Sequence, residues 1–270
     1  MVYFTPCKVN LGLHILSRRS DGYHNIETCF YPVPWNDILE LIPADKLGYT
    51  FSGLPISGKE EDNLCGRAYS LLQKDFDIPP VHLHLHKMIP VGAGLGGGSS
   101  DAAATLKALN EIFALGINLE RLQYYASQLG SDCSFFIESK PVLGTGKGET
   151  MTSLPLRLHG KFLVLVNPNI HVSTAEAYRE VVPKKPKMYL REILKQPVSA
   201  WKNMLVNDFE DTVLSKYRTL RAIKEKLYEL GAFYASMSGS GSSVYGLFDQ
   251  PQDVGKDFPE IQVWSGLLPQ

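Results

Sequence analysis

Apolar and polar residues alternate loosely over residues 3–16, which predicts a first strand. Val9, Leu11 and Leu13 share one of its faces. Lys8 and Asn10 share the other, the side that ordinarily meets water. Asp21-Gly22 marks a turn. Residues 26–42 predict further strand, broken at Pro32 and Pro34. The stretch 45–58 is rich in turn residues and holds one more strand. Asp62 is placed to cap a helix running to about Lys74, with Leu64, Ala68, Leu71 and Leu72 on its apolar face. Strict period two returns in VHLHLHK, residues 81–87. Helical spacing follows over 101–115, burying Leu106, Leu109 and Phe113 and stopping at Gly116. Asn118 caps the next helix and Gly130 ends it. PVLGTGKGE, residues 141–149, reads as a strand and hairpin, and a composition break falls near Pro155. Residues 161–166 form a buried strand. Ser173 and Glu176 make a capping box for a helix reaching Val181, and Pro183–Lys187 is an exposed loop. Short helices lead to a longer one over Ser215–Leu230, with Tyr217, Leu220, Ile223, Leu227 and Leu230 in register. Gly231 ends it, and a last strand spans Ser243–Phe248.

The 270 residues are 44% hydrophobic and 20% charged, enough for one large or two ordinary domains. A net charge of −1, with no basic cluster, argues against nucleic acid or a membrane surface as partner. Cys7, Cys29, Cys65 and Cys133 are scattered without a Cys-x-x-Cys pair. They read as free thiols of a reducing compartment, with no zinc site. The N-terminus is not a signal peptide and no apolar run is long enough for a bilayer, so the expected location is cytoplasmic. His82, His84 and His86 share a strand face, but the outer two stand about 13 Å apart on a flat strand. They cannot ligate one ion together, no nearby carboxylate completes a set, and the expectation is a wet face and no metal.

Between strand 81–87 and helix 101–115 lies PVGAGLGGGSSDAAA, Pro90–Ala104. Gly92, Gly94, Gly96, Gly97 and Gly98 let another group approach the backbone closely. Ser99, Ser100 and Asp101 offer capping oxygens to the helix. A glycine loop ending on a helix N-terminus presents free N–H groups and the positive end of the helix dipole, a site for phosphate. The Walker pattern fails because Gly98 is followed by Ser99 with no lysine. Gly-x-Gly-x-x-Gly does match at Gly92, Gly94 and Gly97. A dinucleotide fold would add a parallel strand about twenty residues on, however, and the sequence shows helix after helix. A Rossmann oxidoreductase is the runner-up. A second glycine loop, Gly239–Gly241, precedes the last strand, and on a shared sheet both loops would line one cleft. Tyr23 and His24 follow the turn either as ordinary surface residues or as groups that stack on and bond a planar ring. Asp132 reads first as a helix cap, and second as a carboxylate in a partly apolar pocket, where general bases are tuned.

A Lys-x-Asn strand, the string PVGAGLGGGSSDAAA and a late SGSGSS loop resemble the three-motif layout of the GHMP small-molecule kinases. Within them, KVNLGLHILSRRSDGYHNIET is similar to the start of the 4-diphosphocytidyl-2-C-methylerythritol kinases of the non-mevalonate isoprenoid route. LGSDCSFF and Asn207–Glu210 are similar to that family as well. The resemblance covers about 1–250 and is weakest over 183–206. It implies an α+β, two-domain kinase: an N-terminal domain like domain 2 of ribosomal protein S5, 1–157, and a ferredoxin-like C-terminal domain, 158–270, whose last strand could return to the first. A crevice between them would hold ATP and substrate.

By the same resemblance, the loop of Pro90, Val91, Gly92, Ala93, Gly94, Leu95, Gly96, Gly97, Gly98, Ser99 and Ser100 cradles the ATP phosphates. Asn63 and Leu64 lie near the adenine. Asp132 matches the catalytic aspartate and Lys8 its partner lysine. His24 matches a residue that reads cytosine, and Tyr23 and Tyr178 match aromatic positions flanking that ring. Asn10 and Thr174 sit near polar groups of the substrate, and Gly239 and Ser240 beside the transferred phosphate. Cys7 departs from the small residue usual before the lysine. The metal-binding glutamate of mevalonate kinases has no counterpart here, so Mg²⁺ would ride on the nucleotide, touched by Ser99 or Ser100. Phosphorylation of the 2-hydroxyl of the cytidyl substrate is the implied activity, by a monomer or homodimer. Another GHMP kinase, with a mevalonate- or homoserine-type acceptor, would keep the loop but not Tyr23-His24. A non-catalytic ATP-binding module would not need Lys8 and Asp132.

Overall fold

The computed structural model describes residues 1–56 and 63–269, so the expected Asp62 cap and the end of the 45–58 stretch lie outside the described residues. The chain divides into two compact units, each built from separated stretches. Met1–Cys7, Trp35–Val91 and Gly96–Lys140 form the first; Lys8–Pro34, Gly92–Leu95 and Pro141–Gln270 form the second. Two long strands, β1 (Val2–Arg18) and β2 (His24–Pro43), pair with each other and contribute to both. β2 runs unbroken through Pro32 and Pro34, against expectation. Its pairing with β5 (Val142–Thr145) covers Thr28–Phe30 and its pairing with β4 (Val81–Lys87) covers Ile38–Pro43. Both prolines fall between these ladders, where a missing N–H breaks neither.

In the first unit, β4 also pairs in parallel with β3 (Gly48–Gly53). The period of two holds: Val81, Leu83 and Leu85 are buried and the histidines are half-exposed. The Ser52 hydroxyl lies 2.8 Å from His84 Nε2 and 2.9 Å from His86 Nδ1. Helix α1 (Leu64–Gln73) is capped by Asn63, whose Oδ1 accepts from Cys65 N. Helix α2 (Gly97–Ile112) starts four residues before the expected position. Gly96, left-handed at φ 72°, is its N-cap. Ser99, Ser100 and Asp101 therefore lie inside the first turns and do not cap. The helix also ends early, because the Asn110 side chain brackets the N–H and C=O of Ile117. Helix α3 (Leu119–Leu129) begins on its Asn118 cap and stops at Gly130 as expected. Helix α4 (Cys133–Glu138) follows directly. After α2 comes helix upon helix, and the next strand, β5, pairs with β2 and not with β4, so the glycine loop does not open the βαβ unit of a dinucleotide fold; the parallel pair β3–β4 precedes the loop.

Beneath the N-terminus of α2 lies a buried ionic cluster. Lys87 Nζ donates to Asp37 Oδ2 at 2.5 Å and Asp101 Oδ2 at 2.8 Å. Asp37 Oδ1 accepts from Met88 N and Ile89 N, and Thr5 Oγ1 donates to Asp101 Oδ1. Two carboxylates thus share one ammonium. Burial, aided by the charge of Asp37, pushes the Asp101 carboxyl up to about 6, against the pull of Lys87.

In the second unit, β5 forms a hairpin with β6 (Thr150–Ser153). A four-stranded antiparallel sheet follows in the order β10 (Gln262–Leu267), β7 (Phe162–Asn167), β9 (Val244–Phe248), β8 (Tyr234–Met237). Every residue of β7 is buried. Helices α5 (Thr174–Glu180), α6 (Leu190–Ile193), α7 (Trp201–Met204), α8 (Glu210–Lys216) and α9 (Arg218–Glu229) complete the unit. Ser173 Oγ caps α5 at Glu176 N. The single helix expected over Ser215–Leu230 is two, parted at Tyr217 (φ −108°, ψ 85°), whose ring packs on the apolar cluster of Val164, Val213, Leu220, Ile223 and Leu227. No Gly or Pro marks that break. Lys8 and Asn10 are not on a wet face: they are 4% and 2% exposed. The glycine loops cover them, residues too distant in sequence for a local pattern to reveal. Cys7 is also fully buried, so the thiol fits where a smaller residue is usual.

Replacing Lys87 strands two buried carboxylates. Lys87→Met should cost about 3–5 kcal/mol of stability, read as a lowered urea midpoint; an unchanged midpoint would show that the cluster contributes nothing.

Candidate active site

The glycine-rich stretch is shared between the units, with Gly92–Leu95 in the second. There Gly92 and Gly94 take φ 69° and 78°, open to glycine and strained for other residues. Gly94 is pinned further: a Cβ on it would lie 2.1 Å from the carbonyl oxygen of Ser238, whereas a Cβ on Gly92 would meet nothing within 4 Å. The backbone of the first glycine loop is therefore pressed onto the second. Ser243 N donates to Ala93 O, and Lys8 N donates to Leu95 O, which fixes the loop along β1.

Lys8 and Asn10 lie under this contact. Lys8 Nζ donates to Asn10 Oδ1 at 2.6 Å and to Gly94 O at 3.0 Å, and stands 5.3 Å from the Phe30 ring centroid. Asn10 Nδ2 donates to Thr28 Oγ1, which donates to Gly12 O. Tyr245 Oη donates to Asn10 O. The Lys-x-Asn pair read from the sequence is one buried polar group around the Gly94 carbonyl. Asn207 supports the second loop, donating from Nδ2 to Met237 O and Gly239 O. Ser240 Oγ bonds Thr174 Oγ1 at 2.9 Å, joining two residues that the sequence reading singled out separately.

A ring-lined corner of the same unit holds His24, which stacks on Tyr178 with centroids 5.3 Å apart and planes 27° apart. Phe209 meets Tyr178 edge-on at 4.8 Å. Burial, with help from Arg18, holds His24 below the usual imidazole pKa and favours the neutral ring. Tyr23 is 61% exposed and lies under Lys147 Nζ rather than against His24.

The first unit gathers the remaining residues. Pro90 and Val91 lead from Ile89, which Asp37 anchors. Gly97 packs so closely that a Cβ would sit 2.9 Å from Lys87 Nζ. Leu64 Cδ1 lies 3.9 Å from the Cβ position of Gly98, so α1 borders the first turn of α2. Ser99 bonds the Cys133 thiol, which burial pushes up to about 11. Asp132, half-buried, occupies the N-cap position of α4 but makes no capping hydrogen bond, so the default role read from the sequence is not the one it plays. Sequence reasoning missed Ser238, Thr28, Tyr245 and Asn207 as members of the Lys8 group. Ser238 lies in the SGSGSS string, Thr28 closes the string that begins at Lys8, and Asn207 opens Asn207–Glu210, so the motifs contained these three without giving them a role; no local signal marks Tyr245.

Among the described residues, no three His, Cys, Asp or Glu side chains stand close enough to hold a metal ion, and no helix is long and apolar enough to cross a membrane. Sequence models of the GHMP kinases N terminal domain and the GHMP kinases C terminal domain match residues 63–140 and 190–260. A Cytophaga hutchinsonii 4-diphosphocytidyl-2-C-methyl-D-erythritol kinase is 50% identical over 97% of this chain and 98% of its own. The chain is a member of the 4-diphosphocytidyl-2-C-methyl-D-erythritol kinase family of GHMP kinases. A Parabacteroides distasonis member is 46% identical over 99% of this chain and all of its own. A crystal structure of 4-(cytidine 5'-diphospho)-2C-methyl-D-erythritol kinase superposes over the whole of both chains with a TM-score of 0.85 at 32% identity. A Cytophaga hutchinsonii homoserine kinase, at 18% identity and a TM-score of 0.71 over 98% of this chain and 92% of its own, shares the fold. The family's α+β, two-domain architecture is the expected one.

Gly92 and Gly94 of this kinase, both at positive φ, separate strain from collision. Gly94→Ala should lose most activity, since its methyl group meets a backbone carbonyl that cannot move aside. Gly92→Ala carries backbone strain alone, of order 1–3 kcal/mol, and should keep more. Equal losses in turnover and thermal midpoint would show that the Gly94–Ser238 approach is unimportant.

Proposed function

We propose that the kinase transfers the γ-phosphoryl group of ATP to the 2-hydroxyl of 4-diphosphocytidyl-2-C-methyl-D-erythritol, in isoprenoid precursor synthesis. The observation that carries the reading is the buried Lys8 ammonium, 3.0 Å from the Gly94 carbonyl of the glycine loop, in a chain alike over its whole length to kinases of that name. Phosphoryl transfer asks mostly for positioning and charge stabilisation. Pro90–Ser100 binds the ATP phosphates through loop N–H groups and the free N–H groups of the first turn of α2. Asn63 and Leu64 border the adenine.

Asp132 accepts the proton of the substrate hydroxyl, a step worth roughly 10²–10⁴ in rate. Lys8 steadies that hydroxyl with its positive charge. Gly239 and Ser240 lie beside the transferred phosphate, and Asn10 and Thr174 bind polar groups of the acceptor. His24, neutral and so offering one donor and one acceptor, reads the cytosine, and Tyr23 and Tyr178 flank it. Mg²⁺ carried with the nucleotide would supply neutralisation of phosphate charge. The acid in the first turns of α2, Asp101, is engaged with Lys87 and Thr5. The side chains there that fit the ion are the hydroxyls of Ser99 and Ser100. In this reading the domains divide at 157/158, and the enzyme works in the cytoplasm as a monomer or homodimer.

A coupled ADP-release assay with ATP, Mg²⁺ and the cytidyl substrate should show turnover absent with mevalonate or homoserine; turnover only with one of those would overturn the acceptor. Asp132→Asn should cut kcat by at least about 10²-fold while ATP still binds; near wild-type kcat would remove Asp132 as base. His24→Ala should raise KM for the cytidyl substrate and leave KM for ATP unchanged, and an unaltered substrate KM would sink the cytosine role.

A further inference from the structure

One buried hydroxyl reaches both anchors of Lys8. Ser238 is fully buried where β8 gives way to the second glycine loop. Its Oγ donates to Gly94 O at 2.8 Å and accepts from Asn10 N at 3.3 Å. Asn10 Oδ1 lies 3.5 Å away, at the edge of bonding distance. Lys8 Nζ uses the same carbonyl and the same amide oxygen. A carbonyl oxygen has two lone pairs and can accept both donors. Ser238 therefore sets the spacing between Gly94 of the loop and Asn10 of β1, and the ammonium of Lys8 bonds both.

This arrangement does more than satisfy buried groups. A lysine has a flexible four-carbon stem and a freely rotating ammonium, and rotamer entropy opposes any single pose. Two acceptors at a fixed separation select one. Gly94 is also the residue that the Ser238 backbone presses upon, so side chain and main chain of one serine locate the same carbonyl. Ser238 N in turn donates to Ser243 O, and Ser243 N donates to Ala93 O, closing a ring of bonds around the contact.

We infer that Ser238 is a positioning residue for the phosphoryl transfer, acting through Lys8 by fixing the two oxygens that aim its ammonium. The inference rests on the reading of Lys8 as the cation of the reaction. Ser238 touches neither nucleotide nor acceptor in this account. Its loss should therefore lower kcat and leave both KM values nearly unchanged. A merely structural serine would lower the thermal midpoint without that split, and its effect would not depend on Lys8.

The test is a double-mutant cycle in single turnover with ATP, Mg²⁺ and the cytidyl substrate, using wild type, Lys8→Met, Ser238→Ala and the double variant. A displacement of about 1 Å can cost 10²-fold in rate. Ser238→Ala is expected to lower kcat by about tenfold or more, with both KM values within about threefold of wild type. In the Lys8→Met background the same change should have no further effect. Near wild-type turnover by Lys8→Met would overturn the reading of Lys8 and this inference with it. An inactive Lys8→Met beside a fully active Ser238→Ala, or a Ser238→Ala effect of equal size in both backgrounds, would overturn the inference alone. Should Ser238→Ala fail to fold, Ser238→Cys keeps the volume with a much weaker donor, and the same cycle decides.

Discussion

The approach of the Ser238 backbone to Gly94 is the constraint on which the candidate site depends. No side chain can stand at position 94, because its Cβ would lie 2.1 Å from a carbonyl oxygen. What that closeness gains is a single oxygen, Gly94 O, offered to two donors at once. Around it a strand, two glycine loops and a tyrosine from β9 converge through hydrogen bonds. Each bond contributes on the order of 1 kcal/mol net, but an unmade one in this dry place costs the full desolvation of its group. The group therefore behaves as all or nothing: its members hold one another in place or none of them is placed.

The two units stiffen their shares of the glycine-rich stretch by different means. In the second, Lys8 bonds a carbonyl and an amide oxygen, and the bonds around it join carbonyls, amides and hydroxyls. In the first, Lys87, Asp37 and Asp101 tie the end of β4 to the first turns of α2 with full charges. Buried ion clusters are poor sources of net stability, because desolvation offsets the attraction. They are strict about geometry, since a displaced partner leaves a bare charge in the interior. The strand and helix that flank the glycines are thus held at fixed positions, and the glycines between them supply the turn.

Much of this was legible in the chain, for local reasons. Asn118 and Ser173 cap their helices through their own side chains, and the alternation of 81–87 places its leucines inside. The density of glycine over 92–98 announced a backbone approached closely by something. What was not legible depended on residues far away. Lys8 and Asn10 have the spacing of a wet strand face, and it takes both glycine loops, with Gly94 and Ser238 86 and 228 positions later, to turn that face into an interior. Pro32 and Pro34 looked like breaks because nothing nearby reveals that the ladders to β4 and β5 miss them. Tyr217 parts two helices without Gly or Pro, under the pull of an apolar cluster assembled from three other elements. The role of Asp132 was ambiguous between cap and carboxylate for a plain reason: the residue stands at a cap position and declines the capping bond.

All four cysteines are free and buried, and burial raises the thiols of Cys29, Cys65 and Cys133 above their ordinary range. A protonated, enclosed thiol is a poor nucleophile. The kinase therefore carries sulfur as it carries methyl groups, for its bulk. No disulfide contributes to the stability of this fold.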